Sequence, residues 1–205
     1  MKRGLFIALD GLDGTGKSTQ CKLLAEWLRS RGHSVVECVD PGGTDLGQRV
    51  RDLLLFGKSV QMNARTEALL FMASRAELVE QIIRPALDRG DIVISDRYVL
   101  ASVVYQGYAG GLTPREVWAL GEFTTRGVWP DLNIILDLAV AEALKRRGRE
   151  ADRMESKGVA FFEKVRQGFL TEANLKPDTV AIVDANTTID EIQTAIRQRI
   201  ESKIR

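Results

Sequence analysis

One histidine, His33, and two cysteines, Cys21 and Cys38, are all that this 205-residue chain holds of the side chains that most often bind transition metals. A lone histidine excludes histidine-based triads and metal sites built from several histidines. Its place, where a helix gives way to a strand, suits a surface hydrogen-bonding residue. The cysteines stand 17 positions apart with no second pair, so they read as reduced thiols rather than as a zinc site or a disulfide. Long apolar runs are also missing: none approaches the roughly 20 residues of a membrane span. The first, Leu5 to Leu9, is cut by Asp10 before it reaches the length of a secretory signal. Nor does one sign of charge dominate, since 29 Lys and Arg against 28 Asp and Glu leave a net charge of +1. No overall field draws the chain to nucleic acid or to an anionic membrane, and any affinity for phosphate has to be local. Repeats, low-complexity tracts and flexible linkers are absent as well. The expectation is a cytoplasmic protein of one compact domain, with 44% apolar content to build its core.

What the chain does have is a regular alternation. Continuous apolar runs bounded by turn residues occur at Leu5–Leu9, Val35–Val39, Ile92–Ile94, Leu132–Leu138 and Val180–Val183. Continuity, rather than alternation, predicts parallel strands covered on both faces. Helix-period segments separate them: Ser18 to Arg31 closed by Gly32, a long one from about Asn63 to Arg89 closed by Gly90, then Pro114–Thr125, Val140–Arg147, Val159–Leu175 and Ile189–Ile200. This order predicts an α/β fold of three layers, a five-stranded parallel sheet flanked by helices. Residues Ala68 to Ala73 are apolar nearly all round their helix and should be buried on more than one side, either in the core or against a second subunit.

The strongest chemical signal is Gly11-Leu12-Asp13-Gly14-Thr15-Gly16-Lys17-Ser18, followed by Thr19. It fits the Walker A pattern and lies between a predicted strand and a predicted helix, the context that gives the pattern its meaning. Glycines let backbone N–H groups converge on phosphate oxygens, and the helix N-terminus adds a favourable dipole end. Lys17 should reach the β and γ phosphates of ATP, with the Ser18 hydroxyl on magnesium.

A second signal is Asp96-Arg97 at the end of the third strand, where ligands of doubly wound sheets bind. Asp96 would project toward the phosphate loop, or would cap the next helix. A third is the crowding of Lys145, Arg146, Arg147, Arg149 and Arg153 around Gly148. These residues form either a solvated basic helix end or a lid whose arginines close over transferring phosphates.

With these pieces in place, the chain resembles the thymidylate kinases, P-loop kinases that convert dTMP and ATP into dTDP and ADP. The resemblance runs from Asp10 through the P-loop to Gln20, then Pro41-Gly42-Gly43-Thr44, Leu70-Phe71 with Arg75, Asp96-Arg97-Tyr98 with Tyr105-Gln106-Gly107, and Asp152-Arg153-Met154-Glu155. It implies one P-loop kinase domain over 1–205, a lid at about 145–156, ATP with magnesium, dTMP as acceptor and a homodimer. It implies further that Phe71 stacks on thymine and Arg75 bonds its edge, with Ser102, Gln106 and Asp40 in the same pocket. Tyr105 would lie against the sugar, Arg97 would hold the acceptor phosphate, and Asp13 would face the acceptor sugar and the metal region. Ser18, Asp96 and Glu155 would surround the metal. From the residues alone, Phe71 and Tyr105 would also pass as core aromatics; Arg75 one helical turn after Phe71, on the same face, and the spacing of Tyr105 from Asp96 favour the site.

The chain departs from the family pattern at Val39-Asp40, where Arg-Glu is usual, and at Gln48, where Glu is usual. Asp40 keeps the charge with a shorter reach. Some relatives carry an arginine inside the P-loop where this chain has Gly14, which leaves transition-state charge to the lid, with Arg149 and Arg153 as candidates. A deoxynucleoside kinase, a kinase for another monophosphate such as dUMP, and a P-loop module that binds ATP without catalysis stay open. A GTPase is disfavoured by the lack of an Asn-Lys-x-Asp segment to read guanine.

Overall fold

The computed structural model describes residues 3–57, 60–147, 154 and 157–204. Five parallel strands form one sheet in the order β2-β3-β1-β4-β5: β1 Phe6–Gly11, β2 Val35–Val39, β3 Ile92–Asp96, β4 Leu132–Asp137 and β5 Val180–Asp184. The register sets Leu9 beside both Asp96 and Ile134, so β3 ends at Asp96 two residues before β1 ends at Gly11, both at the same carboxyl end of the sheet. The expected α/β architecture is therefore what folds.

Both faces of the sheet are covered, as continuous apolar strands require. Ile7 and Leu9 pack toward α1 (Lys17–Ser30), α8 (Val159–Leu175) and α9 (Ile189–Glu201). Phe6 and Ala8 point the other way, toward α3 (Ala64–Leu78), α4 (Arg84–Asp88) and α6 (Pro114–Thr125). Fully buried Leu24, Leu28, Leu78 and Ile94 are worth about 1.5–3 kcal/mol each against exposure. Tyr98, also fully buried, meets Phe6 edge-on at 4.9 Å and donates its hydroxyl to Val128 O at 2.9 Å, which fixes the chain just past Arg97.

Four expectations need correction. The helix predicted from Asn63 to Arg89 is broken between α3 and α4 by a π turn, Val79–Ile83. Pro85 explains it: its ring excludes the carbonyl of Gln81, and a widened turn removes the clash. Two helical segments were not foreseen. One is α2, Asp45–Phe56, capped by Thr44, whose side chain accepts from Gly47 N. The other is α5, Val99–Ser102, continuing into a π turn, Val103–Tyr108. Finally, Ala68–Ala73 is not buried on more than one side within the chain, because Leu69 is 54% exposed and Ala73 faces solvent. Among the described residues, no helix is long and apolar enough to cross a membrane.

Candidate active site

The P-loop leaves β1 at Gly11 and ends at Gly16, a left-handed N-cap with φ 92° whose side-chain-free geometry leaves the first N–H groups of α1 without a protein cap. Asp13, Gly14, Gly16, Lys17, Ser18 and Thr19 line an open cavity of about 700 Å³. Gly11, Leu12 and Thr15 hold the loop in shape instead. Leu12 packs into the core, and the Thr15 hydroxyl donates to Leu12 O at 2.8 Å. Lys17 folds over its own loop, its Nζ donating to Leu12 O at 2.8 Å and lying 3.7 Å from Asp13. Burial, with Arg97 adding to it, lowers its pKa from the ordinary lysine value. Gly14 has φ 88°, and a Cβ there would collide with the backbone carbonyl of Ala143 in α7 (Val140–Arg147).

Beside this loop the end of β3 supplies two groups. The Ser18 hydroxyl donates to Asp96 Oδ2 at 2.6 Å, so Asp96 faces the phosphate loop. It does not cap α5, whose N-cap is Tyr98. Arg97 takes a left-handed backbone, φ 71°, unusual for a residue with a side chain and common at functional sites. Its guanidinium donates to Gly11 O at 3.0 Å and Asp13 Oδ1 at 2.7 Å and lies 5.1 Å from the Tyr105 ring centroid. Burial works against its charge, but Tyr105, Asp13, Asp96 and Asp10 hold the guanidinium more firmly charged than usual. Asp10, the last β1 carboxylate, is fully buried, and neither of its oxygens has a hydrogen-bonding partner among the described residues. Burial pushes its pKa up to about 7, against the opposing pull of Arg97 and Lys17.

The far end of the cavity is built by α3, α5 and the end of β2. Phe71 and Arg75 line it from α3, four residues apart and hence on one helix face. Arg75 is 1% exposed and ion-paired with buried Asp40, and it donates also to Ser102 Oγ at 2.9 Å and Tyr98 O at 3.3 Å. Burial pushes the Asp40 carboxyl up, and Arg75 counters it. Ser102, Tyr105 and Gln106 line the same wall. The sequence-predicted acceptor residues are thus brought together around one cavity with the P-loop.

Arg149, Arg153 and Glu155, with Asp152, lie outside the described residues. Of the basic cluster, Arg146 lines the cavity and donates to Ala185 O at 2.8 Å, whereas Lys145 pairs with Glu142 on the solvent side. Gln48 is exposed and bonded to Asp52 at 2.9 Å, away from the cavity wall. The sequence reading missed Arg51, which lines the cavity from α2 and donates to Pro41 O at 2.7 Å. Thr44 as a cap, with Val50 and Leu54 one turn apart, was the signal that would have found it. Both cysteines are free thiols, and burial pushes Cys38 up to about 12.

Magnesium takes hard oxygen ligands and keeps several from water and substrate phosphates. The Ser18 hydroxyl and the Asp96 carboxylate, already in contact beside the phosphate loop, fit that requirement.

The family profile described as thymidylate kinase matches residues 9–196. A thymidylate kinase of Rhodopirellula baltica is 48% identical over 193 residues, 94% of this chain and 78% of its own length. One of Symbiobacterium thermophilum is 43% identical over 198 residues, 96% of this chain and 92% of its own. The crystal structure of thymidylate kinase from Ehrlichia chaffeensis superposes with a TM-score of 0.77 at 30% identity, covering 96% of this chain and 99% of that one. The phosphate loop, the cavity with an aromatic–arginine wall opposite it, and an end-to-end match in sequence and fold agree: the chain belongs to the thymidylate kinase family.

Proposed function

We propose that this chain transfers the γ-phosphoryl group of Mg-ATP to dTMP, giving dTDP and ADP. One observation carries the reading: a single cavity runs from the P-loop to Phe71 and Arg75, with Arg97 between them. A donor triphosphate at one end and a flat base at the other would place two phosphate groups next to that arginine.

An oxygen of the dTMP phosphate bonds to the γ-phosphorus as the bond to the β,γ-bridging oxygen breaks, and ADP leaves with that electron pair. The acceptor phosphate loses its second proton near pH 6, so its attacking oxygen is anionic and needs no base. The protein's task is to overcome the repulsion of two polyanions and to align them. Lys17 and the free N–H groups of α1 receive the donor phosphates, and Arg97 receives the acceptor phosphate. Arg51 adds a cation from α2 near Val39, where the usual arginine is absent. Arg149 and Arg153 would supply lid charge, and Glu155 would order metal-bound water. Ser18 and Asp96 would hold magnesium, which would neutralise phosphate charge. Phe71 offers the thymine a flat apolar face, Arg75, Ser102 and Gln106 offer its edge polar groups, and Tyr105 lies on the sugar side.

A homodimer in the cytoplasm completes the reading. Leu69, 54% exposed on α3, and Phe123, 85% exposed on α6, are large apolar side chains left to solvent by this chain, of the kind a second copy would cover. Sedimentation tests it: L69E/F123E should shift the chain toward monomer.

The acceptor is tested by following ADP release with dTMP, dUMP and thymidine in competition. The expected result is turnover of dTMP, weaker turnover of dUMP and none of thymidine. Phosphorylation of thymidine in preference to dTMP would sink the role given to Arg97.

A further inference from the structure

Gln106 forms part of the cavity wall, yet its side chain is held from behind. Its Nε2 donates to Glu67 Oε1 at 3.0 Å. Glu67 lies in the first turn of α3, 3% exposed, and precedes Phe71 and Arg75 by one and two turns on the same helix face. It does not itself line the cavity. Lys157 holds the carboxylate from the other side, its Nζ 3.1 and 3.4 Å from the two Glu67 oxygens and 4.8 Å from the Phe161 ring centroid.

A carboxylate paired with lysine only accepts hydrogen bonds, whereas a glutamine amide has one donating and one accepting end. Glu67 therefore selects between the two flips of Gln106, turning the NH₂ end toward α3. The carbonyl oxygen is what Gln106 then has left to accept from a base. Thymine and uracil carry an N–H at ring position 3, and cytosine carries a bare acceptor nitrogen there. A site that accepts from an N–H penalises a base that leaves its oxygen unpaired.

We propose that Glu67 is a positioning residue: by fixing the Gln106 amide with its carbonyl toward the acceptor base, it makes the site select 4-oxo over 4-amino pyrimidine monophosphates. This rests on the placing of Gln106 at the base proposed above.

Glu67→Gln tests it, because the new amide can meet Gln106 in either flip. The expected result is a rise of about tenfold in KM for dTMP, an unchanged KM for ATP, and a fall of about tenfold in the kcat/KM preference for dTMP over dCMP. Gln106→Leu should lose the same preference, and the double variant should lose no more than either single one. An E67Q enzyme with wild-type preference, or losses that multiply in the double variant, would overturn the role of Glu67. An unchanged dTMP KM in Q106L would overturn the placing of Gln106 and the proposal with it. The wild-type protein gives a readout that needs no variant: with dTMP bound, the Gln106 side-chain amide protons should exchange slowly with solvent by NMR. Exchange as fast as that of an exposed glutamine would also overturn the proposal.

Discussion

Ser18 and Asp96, 78 positions apart in the chain, meet at 2.6 Å because β1 and β3 pair in parallel, which brings the loop after β1 and the end of β3 to the same end of the sheet. Hydroxyl and carboxylate form a pair of hard oxygen donors next to the loop that would hold the triphosphate. Asp96→Asn keeps the size and the acceptor oxygen but removes the charge. The magnesium concentration giving half-maximal turnover should rise about tenfold or more, while the melting temperature without ligand stays within a few degrees. A magnesium titration of ADP release checks it.

Lys17→Ala should lower kcat by about 100-fold or more with the fold intact, since the ammonium acts on charge that develops in transfer. Coupled ADP release with thermal melting separates the two effects. An unaltered rate would remove Lys17 from the mechanism.

Arg75 and Asp40 form a buried ion pair, so Arg75→Gln strands a carboxylate away from water. The expected loss of stability is about 3–5 kcal/mol, because the cost of an unpaired buried charge exceeds the net worth of the pair. Adding Asp40→Asn should restore most of it while dTMP binding stays weak. Urea unfolding and acceptor KM measure the two readouts independently.

The raised pKa of Asp10 gives stability a definite slope with pH. The folded state holds the Asp10 proton up to about pH 7, while the unfolded chain releases it near 3.8. The contribution is therefore fully present below about pH 3.8 and is lost as pH rises through 7. At about 1.4 kcal/mol per pKa unit the full span is roughly 4 kcal/mol. In the ligand-free protein, Asp10→Asn should melt with little change between pH 5 and 7.5, where the wild type loses stability. Parallel slopes for the two proteins would refute the assignment.

The parts of this site that were legible in the sequence are those whose geometry is local. Gly11 to Ser18 bends because its own glycines permit it, and Phe71 with Arg75 share a face because four residues nearly complete a helical turn. Asp96 was legible one step further out, through the rule that parallel strands present their carboxyl ends to ligands. Arg51 was not, because α2 follows the Pro41-Gly42-Gly43 turn directly and buries only Gly47, Val50 and Leu54, a thin apolar stripe. Val99 to Gly107 was hidden for a different reason: every one of these residues is buried, so no polar face marks a helical period. The hold of Glu67 on Gln106 joins positions 39 apart through tertiary packing, which periodicity does not reveal.

The carbonyl of Ala143 standing where a side chain on Gly14 would have to go limits how this enzyme can change. A single substitution that put a guanidinium inside the loop would collide with main chain, not with a rotatable group, so evolution or an engineer would first have to relocate the start of α7. Any cation new to the donor phosphates has easier routes from other elements than from the loop itself.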